Sequence, residues 1–321
     1  MRIHLTTMCA LLAALLCAPA QPAEHTAQKA VLVTGASSGI GRKITEHLAA
    51  DGYLVYATAR KEEDLKALGA IKNVQPIRLD LTQPADIAAA LETVTKAGRG
   101  LYGLVNNAGV ATFGTIATMR MDEFDLTMKV NVYGPVMMIK AFTPLIVAEK
   151  GRIVNIGSPS GITDGGGPDI AAYVMSKHAI EGLTDSLVLQ LGPLGVQVSA
   201  VEPGAYRSDM DKNMLARLTE EEKANMLKVW GPTPDPMMFP EPDEVAAAVE
   251  QALSDTNPKR RYLAIPRNAK DRMNSRLPER IIRYQMKQLV QWNEGHSYTF
   301  DRETLIKMLD DALVNSRPRT E

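Results

Sequence analysis

Cysteine is almost missing from this chain. Its 321 residues hold two, Cys9 and Cys17, both near the start. The remainder therefore has neither a disulfide framework nor a thiolate metal site, and no metal site is expected. An excess of one charge is also lacking: 36 Lys and Arg against 37 Asp and Glu leave a formal charge of -1. So balanced a chain has no broad positive field, which excludes nucleic acid as an expected partner. Any phosphate must be held by local geometry. No internal repeat and no linker interrupt the sequence.

The N-terminus reads separately. Met1-Arg2-Ile3-His4 carries one cationic side chain, Leu5 to Ala18 is largely apolar, and Ala18-Pro19-Ala20 supplies an A-x-A site. That order describes a secretory signal over residues 1–23. The apolar run is shorter than the ~20 residues of a spanning helix. Leu16 is bulky for a lipoprotein signal before Cys17. The expectation is an exported or membrane-associated protein, with an uncleaved anchor, or a misassigned start in a cytoplasmic protein, as alternatives.

From Lys29 onward, short apolar runs alternate with stretches of helical period. Strands are expected at Val31–Val33, Tyr53–Ala59, Val74–Leu79, Gly103–Asn106, Arg152–Ile156, Gln197–Val201 and Arg261–Ile265. Helices are expected at Ile40–Ala50, Pro84–Ala97, Met121–Val147, Ala171–Leu191 and Asp243–Leu253. Such alternation implies parallel strands joined by right-handed crossovers: an α/β doubly wound sheet with helices on both faces. Ligands of such sheets bind at the carboxyl ends of the strands. The expected division is a catalytic domain over 29–266 and a helical C-terminal extension over 267–321.

Thr34-Gly35-Ala36-Ser37-Ser38-Gly39-Ile40-Gly41 follows the first strand and opens the first helix. Glycines there allow a tight turn, and a helix N-terminus favours a pyrophosphate. The spacing is G-x-x-x-G-x-G, not G-x-G-x-x-G. A site preferring NAD places an acid about 20 residues on, at the end of the second strand. Ala59 stands there instead, followed by Arg60, whose guanidinium can pair with a 2′-phosphate. NADP is therefore expected over NAD, with Ser37 or Ser38 adding a hydroxyl.

Tyr173 and Lys177 lie four apart in a helical stretch and so share a face. A phenol near its reference pKa of about 10 is a poor base at neutrality; a neighbouring ammonium favours the phenolate. Such pairs are common on helix surfaces, but this one has company. Ser158 ends the strand before it, Asn107-Ala108-Gly109 follows the fourth strand, Asn131 interrupts an apolar helix, and Pro203-Gly204 follows the sixth strand.

Together these residues resemble the short-chain dehydrogenase/reductase family, with its Rossmann fold, from about Val31 to Ile265. Arg60 after Val55-Tyr56-Ala57-Thr58-Ala59 resembles its NADP-preferring hydroxysteroid and retinol dehydrogenase branch. The resemblance implies an oxidoreductase acting on a carbonyl or secondary alcohol. Ser158 would orient the substrate oxygen and Tyr173 exchange its proton. Lys177 would hold the nicotinamide ribose and tune Tyr173, while Asn131 supports a water relay. It also implies Asp80-Leu81 against adenine, Asn107-Ala108-Gly109 by the adenosine ribose, Pro203-Gly204 by the nicotinamide, and a homo-oligomer formed through the fourth and fifth helices. Gly157 replaces a more usual serine, with little consequence expected; Gly165-Gly166-Gly167 lengthens the next segment; Ser208 stands where threonine is frequent.

Specificity is expected in Tyr206–Pro240 and Ser160–Ile170. Met210, Met214, Met226, Met237, Met238, Leu215, Leu218, Leu227, Trp230 and Phe239 suggest an apolar lid over a steroid- or retinoid-like substrate, or else ordinary helix packing. Arg276, Arg280, Arg283 and Lys287 offer a membrane contact, a solvated face or an oligomer contact. The rival functional reading is a regulatory protein that binds a dinucleotide without chemistry; the presence of Ser158, Tyr173 and Lys177 argues against it.

Overall fold

The computed structural model describes residues 28–163, 167, 169–232, 235–266, 281–288, 290 and 300–315. The signal-like segment 1–23, Gly165, Gly166, Arg276 and Arg280 lie outside the described residues, as does much of 267–321.

Seven parallel strands form one sheet: β1 (Ala30–Val33), β2 (Leu54–Ala59), β3 (Val74–Arg78), β4 (Gly103–Asn106), β5 (Arg152–Ile156), β6 (Gln197–Pro203) and β7 (Arg261–Ala264). Their order is β3-β2-β1-β4-β5-β6-β7, so the winding reverses between β1 and β4. This is the doubly wound α/β sheet expected from the alternation, and its switch point opens where β1 and β4 end.

Alternate strand residues feed two apolar layers. Val31, Val33, Val55 and Val201 face α1 (Gly39–Ala50), α2 (Glu62–Gly69) and α9 (Asp243–Ser254), burying Ile44, Leu48, Leu68, Val245 and Val249. Leu32, Tyr56, Leu104 and Ile153 face α3 (Pro84–Lys96), α5 (Gly134–Ala148) and α6 (Ala171–Leu191). Their partners there include Ile87, Met138, Phe142, Ile146 and Leu187. The apolar stretch Met121–Ala148 is long enough to cross a membrane by composition. Its Met138, Phe142 and Ile146 are buried against the sheet, the behaviour of a core helix.

That stretch is not a uniform helix. α4 (Met121–Met128) and α5 are joined through a π-helical turn, Lys129–Tyr133, whose buried member is Asn131. Such single wide turns insert one residue into the helical ladder and collect at functional sites.

Beyond β6, α7 (Met210–Leu215) and α8 (Glu220–Trp230) form a cap that packs on Phe113 of the loop after β4 in a small separate core with Met214, Leu218 and Met226. Trp230 meets Phe113 edge-on at 5.1 Å. Thr219 starts α8 with a capping box, its hydroxyl accepting from Glu222 N–H while the Glu222 carboxylate accepts from Thr219 N–H. The methionines thus divide. Met214 and Met226 are core, whereas Met237 and Met238 are exposed with Leu227 and Trp230. Gln285, in the helical residues 281–288, donates to the Ile162 carbonyl at 2.7 Å, tying the C-terminal extension to the loop after β5. A last helix, α10, spans Arg302–Asn315.

Candidate active site

The glycine-rich turn is clamped from the neighbouring strand. Thr34, buried just past β1, accepts the N–H groups of Asn107 at 2.9 Å and Ala108 at 3.1 Å on its hydroxyl. Asn107 returns its amide to the carbonyls of Thr34 and Gly35, at 2.9 and 3.1 Å. The side chain of Asn107 is thereby committed to shaping the turn. A β-carbon on Gly41 would stand 2.2 Å from the Gly35 oxygen and 2.3 Å from Asn107 Nδ2, so no larger residue is admitted. Gly35, at φ +65°, also takes the left-handed conformation that favours glycine.

These contacts suit a dinucleotide. α1 begins at Gly39 with no side chain capping it, leaving first-turn N–H groups and the Ser38 hydroxyl for a ligand. A β-carbon on Gly39 would meet Ser208 at 3.0 Å, so the segment after Pro203-Gly204 crosses beside this turn. Arg60 is exposed at the end of β2, beyond the buried Ala59. It makes no ion pair among the described residues, whereas Lys61 pairs with Glu63. Asp80 Oδ1 is engaged by the backbone and hydroxyl of Thr82. The Leu81 side chain is buried against Gly134 and can offer a ligand only its backbone. The Gly204 N–H is taken by the Ala264 carbonyl at 2.8 Å.

The catalytic candidates converge where β5 ends and α6 begins. Lys177, 5% exposed, donates from Nζ to the Ile156 carbonyl at 2.9 Å, and its ammonium lies 5.6 Å from the Tyr173 ring centre. That is the one-turn adjacency expected of the pair. Ser158, two residues past Ile156, is buried and accepts the Ser160 N–H at 3.1 Å. Asn131 accepts from Val110 N–H at 2.8 Å, donates to the Val110 carbonyl at 2.9 Å and donates to Ser176 Oγ at 3.0 Å. Ser176 in turn donates to the Tyr173 carbonyl at 2.7 Å. The wide turn thus fastens the loop after β4 to the first turn of α6.

Three contributors escaped the sequence reading: Ser176, which relays Asn131 to the tyrosine backbone, and the acids Glu202 and Glu181. Glu202 is 1% exposed and Glu181 8%. The Glu202 carboxyl lies where a β-carbon on Gly157 would be, 2.3 and 2.6 Å from its two oxygens. A side chain at position 157 would therefore require the Glu202 carboxyl to shift. Burial pushes Glu202 well above the usual carboxylate range and the Glu181 carboxylate adds to this, while Lys177 and the Ser158 N–H oppose it. The signal was present as a lone acid in the otherwise uncharged strand Gln197–Pro203.

Comparison with known proteins follows the same lines. A family model described as short chain dehydrogenase matches residues 29–219. The mouse mitochondrial D-beta-hydroxybutyrate dehydrogenase is 35% identical over 197 residues, covering 58% of this chain and 57% of that protein. Mouse retinol dehydrogenase 5 is 34% identical over 257 residues, 72% of this chain and 79% of the relative. Human 11-beta-hydroxysteroid dehydrogenase type 2 is 37% identical over 204 residues, 59% of this chain and 48% of the relative. The chain spans less than two thirds of the length of the mitochondrial hydroxybutyrate dehydrogenases it matches. Among solved structures, an actinorhodin polyketide ketoreductase with NADPH superposes with TM-score 0.65 at 26% identity, covering 74% of this chain and 95% of that one.

Proposed function

This chain belongs to the short-chain dehydrogenase/reductase family, in the branch of the hydroxysteroid and retinol dehydrogenases, and on that premise we propose an NADP(H)-dependent oxidoreductase of apolar alcohols and ketones. The nicotinamide dinucleotide, when bound, supplies or receives the hydride. It would be held by Gly35, Ser37, Ser38, Gly39, Ile40 and Gly41, by Arg60 at a 2′-phosphate, and by the segments at Asp80, Asn107 and Pro203.

The observation that carries the reading is the fixed Lys177 ammonium beside the Tyr173 ring, tethered by the Ile156 carbonyl. Tyr173, beside that ammonium, would give a proton to, or take one from, a substrate oxygen. Ser158 would orient that oxygen by its hydroxyl, and Asn131 would hold a water that passes protons on from Lys177. Arg60, exposed and without an ion pair among the described residues, follows Ala59, which stands where an acid would serve NAD, and this supports NADP. The cap over α7 and α8, with its methionine core and exposed Leu227, Trp230, Met237 and Met238, supports an apolar substrate. Exposed Tyr133 and Val136 on the α4–α5 stretch, and Met175 and Leu189 on α6, support a homo-oligomer formed there. Residues 1–23 support export or membrane association.

The test is NADPH consumption by purified protein over ketones ranging from steroids and retinoids to polyol-derived sugars, with Tyr173→Phe alongside. The variant should lose about 10²–10⁴-fold in turnover while still binding NADPH. Undiminished turnover would remove Tyr173 from the chemistry, and preference for sugars would remove the apolar substrate.

A further inference from the structure

Behind the catalytic end of α6 lies a group of charges that the proposed reaction does not use. Glu202 on β6 and Glu181 on α6 bring two carboxyls together between the sheet and the helix. Among the described residues, neither Glu202 oxygen has a donor at good hydrogen-bonding geometry, the nearby Ser158 N–H included, and neither does Glu181 Oε1. Glu181 Oε2 is held by Arg261 Nε of β7 at 2.7 Å, and Arg261 also reaches Asp185 at 3.0 Å. Arg260 approaches the same Asp185 at 3.8 Å, farther out. On the inner side stands Lys177, one turn before Glu181, with its ammonium committed to Ile156. Gly157 closes the space from β5, which lets the Glu202 carboxyl sit flush against the backbone leading to Ser158.

Two carboxylates with three buried oxygens that lack a well-aligned donor are an unstable arrangement. Each would be desolvated, they would repel, and one guanidinium serves only the outer oxygen. A single proton placed between them removes the repulsion and supplies the missing donor. We infer that Glu202 and Glu181 share one proton at neutral pH and act as a positioning pair of single negative charge behind Lys177. The upward pressure on the Glu202 carboxyl has the same direction. The role rests on the reading of Lys177 and Tyr173 as the catalytic couple. With one charge, the pair anchors the helix turn carrying the ammonium without neutralising the field that Lys177 presents to the phenol. With two, it would offset that field.

Infrared spectroscopy of the full-length wild-type protein at neutral pH reads the proton directly, independently of any activity. A carbonyl stretching band of a buried protonated carboxyl is expected, absent from Glu202→Gln or from Glu181→Gln. No such band in the wild type, or a band persisting in both variants, would overturn the inference. The pH profile of alcohol oxidation reads the role. Glu202→Gln, the conservative variant, preserves shape and charge; its acid-side limb should stay within about half a pH unit of the wild type. An ionised Glu202 would instead make that variant delete a negative charge, and the limb would move to lower pH. Glu202→Leu keeps volume but cannot share a proton. It should lose about tenfold in kcat with unchanged NADPH binding, and Gln should rescue it. Equal activity of Leu and Gln would reduce Glu202 to packing and overturn the positioning role. A protein with the infrared band but no turnover would sink the catalytic reading alone.

Discussion

Asn131 and Ser176, 45 positions apart, are joined by a 3.0 Å hydrogen bond, and the serine hydroxyl passes the connection to the Tyr173 carbonyl at 2.7 Å. The amide is held in place because its other two bonds close on the backbone of Val110. A polar residue in the wide turn between α4 and α5 thereby sets where the first turn of α6 begins.

Asn131→Leu should consequently leave the Val110 N–H and C=O and the Ser176 hydroxyl short of partners. A loss of about 2–4 kcal/mol in stability is expected, with a fall in kcat, since each unsatisfied buried group costs about 1–3 kcal/mol. Ser176→Ala should cost about 1 kcal/mol. Urea midpoints and turnover measured on both variants check the ranking; an equal loss in the two would contradict the relay.

Arg60→Ala should weaken NADPH binding about 10–100-fold while leaving NADH binding within about threefold, because only the 2′-phosphate uses a guanidinium there. Titration of both coenzymes by fluorescence separates the cases. Parallel losses for the two would remove Arg60 from coenzyme choice.

The cap is strapped down by ions. Arg217, just past α7, bonds both oxygens of the buried Glu123 at 3.1 Å and the Ala111 carbonyl at 2.6 Å. Arg120 spans Asp122, Glu222 and the Arg217 carbonyl. Although partial burial pushes the other way, the Thr219 N–H and Arg120 hold the Glu222 carboxyl below the usual carboxylate range. Arg217→Ala leaves the buried Glu123 with the longer Arg120 contact at 3.6 Å and should cost about 1–3 kcal/mol. It should raise KM for an apolar ketone more than it raises Kd for NADPH. Steady-state kinetics beside coenzyme titration decide; an unchanged KM would detach the strap from substrate binding.

Glu202 also leaves a mark on stability. Its folded pKa is raised, by burial first and by Glu181 second, above the unfolded value of about 4.3. Below that value both states are protonated and nothing is lost. As pH rises past it, the unfolded chain releases a proton that the folded chain keeps, so stability declines until the folded pKa is passed. Glu202→Gln has no such proton. Its stability advantage over the wild type should therefore grow as pH rises from about 4 until the folded pKa is passed. Urea midpoints across that range would show parallel curves if the acid were not perturbed.

The sequence made the sheet and the catalytic couple legible because both leave periodic or spaced traces. Apolar runs of strand length at Val31–Val33 and Arg152–Ile156, separated by helical stretches, dictate parallel pairing. Tyr173 and Lys177 needed only helical spacing to be neighbours. What stayed hidden depends on contacts across the chain. The wide turn at Asn131 arises from its bonds to Val110, which no local pattern announces. Glu202 and Glu181 meet because a strand and a helix distant in sequence pack together. The cap methionines carried both outcomes at once: helical spacing could not separate Met214, buried with Phe113, from Met237, left in solvent.

The small core under the cap is closed from the other side by a separate loop. Met214, Leu218 and Met226 pack on Phe113, which belongs to the loop after β4, so a swing about the segment after β6 would carry those three away from it and part the Trp230–Phe113 ring contact. Admission of substrate then costs some exposed apolar surface as well as the rupture of a few ionic tethers. Amide hydrogens of α7 and α8 would accordingly exchange as one block, slowed together by a bound ligand.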